Sequence, residues 1–167
     1  MHIRPALTEE AHQLSALVLR AKAQWGYAQR QLEAWRPSLA VSAESLSARP
    51  TFVGEIDDLM VGFYSLAPSA TVWELDNLWV APEYMRRGLG RKLLAHALET
   101  AGAGGADHVV VDADPNALPF YMGCGAIRVG EVAAPIPGQP DRMRPQLVFE
   151  ITGHQARAMR KAEGRFP

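Results

Sequence analysis

A basic turn that contains two glycines joins an apolar segment to an amphipathic helix near the middle of the chain. The stretch reads Val80-Ala-Pro-Glu-Tyr-Met-Arg-Arg-Gly-Leu-Gly-Arg-Lys-Leu-Leu94. Because Gly88 and Gly90 carry no side chains, a ligand can approach the backbone closely, and the helix that follows begins with unpaired N–H groups. Positive charge is added by four residues: Arg86, Arg87, Arg91 and Lys92. The stretch therefore predicts a strand, a turn and a helix N-terminus that binds an anion.

Two common phosphate-binding motifs do not account for this turn. A dinucleotide fingerprint would place a third glycine at position 93, which is Leu93, and a kinase-type phosphate loop would continue with Gly-Lys-Ser or Gly-Lys-Thr. An ordinary strand-to-helix turn is the simplest alternative. The combination of glycines and arginines between a strand and a helix favours the anion site.

Length, charge and cysteine content limit the classes of protein to consider. The chain has 167 residues, 48% of them hydrophobic, which suits one domain with its own core; we assign this domain to residues 1–153 and a loosely helical tail to residues 154–167. The formal net charge of −1 argues against nucleic acid or an anionic membrane as a partner. The single cysteine, Cys124, excludes an internal disulfide framework and favours the cytoplasm, and no apolar stretch is long enough to span a bilayer.

Periodicity along the chain predicts alternating helices and strands. A first helix begins at Thr8, which we expect to act as its cap, and a second covers residues 29–35 and ends before Pro37. Further helices are predicted from residue 89 to the glycines at 102–105 and over residues 116–123. The predicted strands are residues 2–5, 51–55, 59–66, 72–80, 108–112, 126–132 and 146–151.

At the glycine turn the sequence resembles the GCN5-related N-acetyltransferases, the GNAT superfamily. Their motif is Arg/Gln-x-x-Gly-x-Gly/Ala after a strand that ends in Val-x-Pro, and here Met85-Arg-Arg-Gly-Leu-Gly90 follows Val80-Ala-Pro82. Met85 departs from the family's usual Arg or Gln. We therefore expect the turn to bind the pyrophosphate of coenzyme A mainly through Gly88, Gly90 and backbone amides, with the arginines second.

A second segment resembles the same family. Asp114-Pro-Asn-Ala-Leu-Pro-Phe-Tyr-Met-Gly-Cys-Gly125 is similar to the family's Asn-x-x-Ala-x-x-Phe/Leu-Tyr-x-x-x-Gly, with Ala117, Tyr121 and Gly125 in register. Asp114 occupies the usual Asn position and Asn116 follows two residues later, so either side chain is a candidate contact to coenzyme A.

The resemblance implies a fold, a co-substrate and a set of binding residues. The fold is a mixed α/β (α+β) domain with a mostly antiparallel, twisted sheet of six to seven strands, one parallel junction, and helices on both faces. The co-substrate is acetyl-CoA. The main chain of residues 78–80 would pair with its pantetheine arm and polarise the thioester carbonyl. The implied binding residues are Leu78, Trp79, Val80, Arg86, Arg87, Gly88, Leu89, Gly90, Arg91, Asp114 and Asn116.

Acetyl transfer to an amine needs a proton acceptor, and two carboxylates are candidates for that role. Glu74 and Asp76 lie on the strand that leads to Val80, and strict alternation places them on one face, opposite Trp73, Leu75, Asn77 and Trp79. Glu74 is six residues before Val80, which is where the histone-acetylating branch of the family carries its glutamate base. A solvent-facing acid is the alternative reading of either residue, and transfer without a dedicated base also remains open.

The departing thiolate needs a proton donor, and Tyr121 stands at the position of the family's tyrosine acid. A phenol with an ordinary pKa of about 10 stays protonated at neutral pH and can donate to a thiolate. Packing beside Phe120 is the alternative reading. We interpret Cys124 as a packed thiol rather than a nucleophile, the dispersed histidines predict no metal site, and one or two tryptophans are expected to line an acceptor cleft.

These observations predict an N-acetyltransferase that moves an acetyl group from acetyl-CoA to a primary amine by direct transfer in a ternary complex. The acceptor is a small-molecule or peptide amine, and a homodimer is compatible with the sequence. A non-catalytic acyl-CoA-binding or regulatory module is the alternative that Met85 and Asp114 permit. A nucleotide-phosphate binder of another fold would need the lysine of a Gly-Lys-Ser or Gly-Lys-Thr loop, which does not follow the glycines here.

Overall fold

Seven strands form one sheet in the computed structural model of the chain, which describes residues 1–151. They lie side by side in the order β1-β2-β3-β4-β5-β7-β6, and only the β4–β5 contact is parallel. The strands are β1 (His2–Pro5), β2 (Thr51–Ile56), β3 (Leu59–Ala67), β4 (Val72–Val80), β5 (His108–Asp112), β6 (Ile127–Ala133) and β7 (Met143–Glu150). The predicted mixed, mostly antiparallel sheet with one parallel junction is confirmed. The tail predicted at 154–167 lies outside the described residues, as does the predicted domain boundary at residue 153.

Helices cover both faces of the sheet, as predicted. They are α1 (Ala11–Ala23), α2 (Gln29–Leu39), α3 (Ala43–Ala48), α4 (Leu89–Ala103) and α5 (Leu118–Met122). On one face, Leu93 and Ala97 of α4 pack with Tyr64 of β3 in what we call the α4 core. On the other, Leu14 and Leu17 of α1 pack with sheet residues including Val53 and Phe63 in the α1 core. Because neighbouring residues of a strand point to opposite faces, Phe63 and Tyr64 serve different cores.

The first third of the chain differs from the prediction in three ways. Helix α2 continues through Pro37 to Leu39, since a proline near the last turn removes only one helical hydrogen bond. Thr8 does not cap α1; instead, the Glu10 carboxylate accepts a hydrogen bond from the Leu7 N–H at 2.8 Å. Helix α3 was not predicted; it is capped by Ser42, whose side chain accepts from the Ser45 N–H at 3.1 Å.

The parallel contact between β4 and β5 is short, and this opens the sheet. Only residues 72–74 of β4 pair with residues 108–110 of β5. Beyond them, β5 continues alongside β7, while β4 pairs only with β3. The two strands therefore diverge toward the turn at 81–88 that leads into α4.

A bulge in β4 alters the register next to this opening. Ser65 of β3 pairs with Asn77, but the next residue, Leu66, pairs with Leu75. Asp76 is therefore the extra residue of the bulge, and the side chains after it change face relative to a regular strand.

The bulge changes which side chains of β4 share a face. The α4 core receives Trp73, Leu75, Leu78 and Val80. Trp79 instead packs on the α1 core, and its Nε1–H donates to the Asn77 side-chain oxygen at 2.9 Å. The predicted grouping of Asn77 and Trp79 with Trp73 and Leu75 is therefore wrong, because it assumed uninterrupted alternation.

Candidate active site

A cavity of about 960 Å³ occupies the opening between β4 and β5. Its walls include residues 75–80 of β4, the glycine turn, Phe120 and Tyr121 of α5, and the segment that carries Arg142. Another part of its wall comes from Lys22 of α1, Trp35 of α2 and Trp25 in the connection between these helices. One continuous space thus connects the glycine turn, which precedes α4, with the helices of the N-terminal third.

The glycine turn presents unpaired backbone donors. Arg86 and Gly88 both have positive φ, at 58° and 80°, which glycine adopts without strain. Helical hydrogen bonding resumes at Lys92, whose N–H donates to the Gly88 carbonyl at 3.2 Å. Within residues 1–151, the N–H groups of residues 86–91 have no acceptor. Consecutive free amides at a helix N-terminus can bind the oxygens of a phosphate or pyrophosphate.

Only some side chains of the turn face the cavity. Arg86 and Arg91 line the cavity, and the Arg91 guanidinium also donates to the Gly123 carbonyl at 2.9 Å. Arg87 stacks on the Tyr84 ring, with 5.2 Å between guanidinium and ring centroid, and is not part of the cavity wall. Leu89 is buried, so only its main chain can serve a ligand. Of the predicted arginines, two therefore face the cavity.

Glycine at position 90 lets α4 pack closely against α5. A Cβ atom there would lie 3.2 Å from the Phe120 ring, closer than ordinary van der Waals contact. The close approach brings the start of α4 next to α5, which carries Tyr121. The turn and the tyrosine are thereby placed on one cavity.

The main chain of Leu78, Trp79 and Val80 borders the cavity where β4 has lost its parallel neighbour. These residues pair with β3 on one side only. The opposite backbone groups are accessible to a ligand that extends along the strand. The three residues predicted for pantetheine binding therefore lie at the opening of the sheet.

Tyr121 lies at the cavity with its ring buried in the α4 core. The ring packs edge-to-face against Phe120 and Phe149, with centroids 5.1 and 6.4 Å apart. Burial, with a smaller effect of Cys124, raises the pKa of Tyr121, so the phenol is protonated at neutral pH. Cys124 is itself half-buried, and burial raises the pKa of its thiol. This arrangement suits Tyr121 as a hydrogen-bond donor and Cys124 as a thiol rather than a thiolate.

The two candidate base residues lie in different environments. Asp76, the bulge residue, lines the cavity, and its Oδ2 accepts from the Arg49 guanidinium at 2.5 Å and the Asn77 amide at 3.0 Å. Ser65 is a longer contact to the same oxygen, so Oδ1 is left without a donor in the described part of the chain. Glu74 is exposed on the paired segment of β4 and is not part of the cavity wall.

Asp114 is the centre of a buried ionic cluster. Its carboxylate accepts from Lys22 Nζ at 2.5 Å, the Tyr27 hydroxyl at 2.8 Å and an Arg142 nitrogen at 3.1 Å. The Asn116 N–H donates to it at 2.9 Å. We define Lys22, Tyr27, Asp114 and Arg142 as the Asp114 cluster. Both Asp114 oxygens are engaged, so the side chain predicted to contact coenzyme A is used within the protein.

Burial shifts the ionisation of this cluster. For Lys22, burial lowers the pKa, and the hydrogen bond that it donates to Asp114 opposes this only in part. For Asp114, burial alone raises the pKa, but the hydrogen bond and charge of Lys22, with further donors, bring it below its ordinary value. We take Asp114 to be ionised at neutral pH.

Aromatic rings surround the lysine of the cluster. Lys22 Nζ lies 4.8 Å from the Trp35 ring centroid, 4.9 Å from Trp25, 5.2 Å from Tyr27 and 5.9 Å from Trp79. These distances are those of cation–π contacts. Three of the four tryptophans line the cavity, more than predicted, while Trp73 is buried in the α4 core.

Sequence reasoning missed Lys22 and Arg142. A signal for Lys22 exists, because it is four residues after Val18 on the buried stripe of α1, where a lysine is unusual. Arg142 follows a proline-rich loop, and no sequence pattern indicates that it folds back onto residue 114. No group of three potential metal ligands occurs among residues 1–151, and no helix there is long and apolar enough to cross a membrane.

Comparison with known proteins gives a family match over most of the chain. The model described as "Acetyltransferase (GNAT) family" matches residues 13–126. This range includes the glycine turn, both candidate carboxylates and Tyr121. The comparison with curated proteins gave no match.

Solved structures share the fold over nearly all of the described residues. A GCN5-related N-acetyltransferase from Rhodopseudomonas palustris, named "Aminotransferase, Class-II", is 28% identical with a TM-score of 0.75, over 89% of this chain and 94% of that one. PaiA N-acetyltransferase from Thermoplasma acidophilum, in complex with coenzyme A, is 19% identical with a TM-score of 0.74, over 89% and 98%. Ribosomal-protein-S18-alanine N-acetyltransferase from Escherichia coli is 18% identical with a TM-score of 0.69, over 90% and 93%.

Proposed function

The chain belongs to the GNAT family of acetyltransferases, and we propose that it transfers an acetyl group from acetyl-CoA directly to a primary amine in a ternary complex. One observation carries the proposal: the free amides of residues 86–91 and the Tyr121 side chain lie on the wall of the same cavity. A single space of about 960 Å³ can hold both substrates at once, as direct transfer requires.

We assign the pyrophosphate of acetyl-CoA to the glycine turn. The N–H groups of Gly88, Leu89 and Gly90 would bind its oxygens, and Arg86 and Arg91 would add charge from the cavity wall. The pantetheine arm would extend along Leu78, Trp79 and Val80, where β4 lacks a parallel partner. This assignment is supported by the backbone groups that β3 and β5 leave free.

The reaction forms a C–N bond and breaks a C–S bond at the thioester carbonyl. Main-chain N–H groups of residues 78–80 would stabilise the negative charge that develops on the carbonyl oxygen. Tyr121 would donate its phenolic proton, or a hydrogen bond, to the departing thiolate. Oδ1 of Asp76 would accept the proton that the amine releases, directly or through water.

Asp76 is the stronger of the two base candidates on structural grounds. Asp76 lines the cavity and has one carboxylate oxygen without a donor among residues 1–151, whereas Glu74 is outside the cavity wall. The Arg49 contact keeps Asp76 oriented through Oδ2. Both residues stay in the proposal, and their variants separate them.

Binding and chemistry can be tested separately. Acetyl-CoA is expected to raise the melting temperature of the protein, and ATP is not expected to do so equally. Thiol release is then measured against a panel of primary amines that includes amino acids, polyamines, aminoglycosides and short peptides. Stabilisation by acetyl-CoA without thiol release for any amine would contradict the transfer reaction and leave an acyl-CoA-binding module.

A further inference from the structure

The Asp114 cluster carries more positive than negative charge. Lys22 and Arg142 each contribute a cation, and Asp114 is their shared carboxylate. The three side chains are only 10%, 6% and 7% exposed, respectively. With all three ionised, a net charge of about +1 is buried at the cavity wall, which is unfavourable without a further anion.

The other charged side chains of this part of the cavity do not supply that anion. Asp76 is paired with Arg49, and Asp112 is paired with Arg144. Each of these pairs is neutral, so the excess stays with the Asp114 cluster.

Arg142 also has an unused hydrogen-bond donor. Its Nη1 donates to the Ala134 carbonyl at 3.1 Å, and its Nη2 donates to Asp114 at 3.1 Å and to the Tyr27 hydroxyl at 3.3 Å. Its Nε–H is buried and has no acceptor among residues 1–151, and the same is true of the Nε–H of Arg144, which also lines the cavity but is paired with Asp112. A buried donor without an acceptor is costly, and a ligand oxygen would remove that cost.

We propose that the acceptor is a primary amine that also bears a carboxylate, and that Arg142 binds this carboxylate at the Asp114 cluster. The proposal rests on the proposed transfer function, because it names the second substrate of the same cavity. A carboxylate is a monoanion and balances a net charge of about +1, whereas a phosphate would overcompensate it. The amino acid class fits this description, with its amine directed toward the thioester.

The aromatic wall next to the cluster suits the carbon skeleton of such a substrate. Trp25, Trp35 and Trp79 line the cavity beside Lys22, and Trp25 and Trp79 lie 5.9 Å apart between ring centroids. Apolar walls with a few fixed polar groups are typical of small-molecule sites. An amino acid therefore finds a charged anchor and an apolar surface in one place.

Product binding tests the inference without requiring turnover. The probes are N-acetylglycine, N-acetylleucine and N-acetyltryptophan, each compared with its carboxamide in the presence of saturating coenzyme A. At least one acid should bind the wild-type protein about tenfold or more tightly than its amide, as expected for a charge-assisted hydrogen bond in a buried site. Equal binding of acid and amide in all three pairs would overturn the proposal.

Variants assign the preference to Arg142. Arg142→Gln should abolish the difference between acid and amide, and Arg142→Lys should reduce it, because lysine keeps the charge but not the guanidinium geometry. Arg128→Gln is the matched control, since Arg128 is an exposed arginine of β6 paired with Glu131 and outside the cavity wall. Full retention of the preference in Arg142→Gln would contradict the assignment, and coenzyme A binding reports whether each variant is folded.

Acetyl transfer and the carboxylate site can be tested independently. If amines without a carboxylate cause thiol release from acetyl-CoA, and acids and amides bind equally, then acetyl transfer is sustained and the carboxylate site is overturned. Preferential binding of an acid without thiol release for any amine would sustain the carboxylate site and contradict acetyl transfer.

Discussion

Lys22 Nζ and Asp114 Oδ2 lie 2.5 Å apart, with side chains only 10% and 7% exposed, although 92 residues separate them in the chain. The contact joins α1 to the segment between β5 and α5 across the cavity. It therefore fixes the N-terminal helices relative to the sheet opening, and its loss should affect both stability and the shape of the acceptor region.

Asp114→Asn should lower the free energy of unfolding by about 3 kcal/mol, because it leaves two buried cations without a charged partner. Interactions in the folded protein lower the pKa of Asp114. The stabilisation by its carboxylate is therefore fully present above the unfolded pKa of about 3.9, and it disappears as the pH falls through the lower pKa of the folded state. Urea unfolding at pH 7 and at lower pH should show the gap between variant and wild type narrowing in acid.

The matched control is Asp112→Asn. Asp112 is paired with Arg144, but their side chains are 30% and 43% exposed, so water can replace the lost contact. We expect a loss of about 1 kcal/mol or less. Similar losses for both variants would contradict the special role of the buried cluster.

Tyr121→Phe should lower kcat by about a hundredfold and leave the acetyl-CoA affinity within about twofold, because only proton donation is removed. Steady-state kinetics and titration with acetyl-CoA check the two quantities. Tyr64→Phe is the control, since Tyr64 is buried in the α4 core with its hydroxyl bonded to His96 at 2.6 Å and is not part of the cavity wall. It should cost about 1 kcal/mol of stability and little activity; unchanged turnover in Tyr121→Phe would remove the acid assignment.

Gly88→Ala should weaken acetyl-CoA binding about tenfold or more, because the positive φ of 80° disfavours alanine and the free amides would shift. Gly105→Ala tests the backbone strain alone: Gly105 follows the other end of α4, has φ 94° and has no atom within 4 Å of an added Cβ. Both variants should lose about 1 kcal/mol of stability. Isothermal titration should find weaker binding only for the Gly88 variant, and equal affinities would argue against a cofactor role for the turn.

Asp76→Asn should lower kcat at least about tenfold, because the amide cannot accept a proton. Glu74→Gln, on the same strand but outside the cavity wall, should leave kcat unchanged. If the Glu74 variant alone loses activity, the base assignment passes to Glu74. Retained activity in both variants would indicate that no dedicated base is needed.

Local patterns predicted the sheet and the helix that follows the glycine turn well. The stripe that includes Leu93, Leu94 and Ala97 marks α4, and the glycines of the turn mark its N-terminus. Both signals lie within a few residues of each other, so periodicity and steric arguments are sufficient. The neighbouring positions of β2, β3 and β4 also follow from their short connections, and one helix joins the parallel strands β4 and β5.

The acceptor end was less predictable because it is assembled from distant segments. Arg142 reaches Asp114 from 28 residues away and Lys22 from 92 residues away, and neither contact follows a local rule. The bulge at Asp76 was also missed, because no residue type in the strand marks it. One extra residue nevertheless moves every later side chain of the strand to the opposite face of the sheet. Long-range contacts and register shifts depend on the whole fold rather than on neighbouring residues.

The bulge in β4 also affects how catalytic roles can be carried between relatives. A residue of β4 is aligned by its distance in sequence from the glycine turn. The face of the sheet to which its side chain points depends on whether the bulge lies between that residue and the turn. Two relatives with identical spacing can therefore direct the same aligned carboxylate to opposite sides of the sheet. For this family, the strand register is a necessary part of any transfer of function by homology.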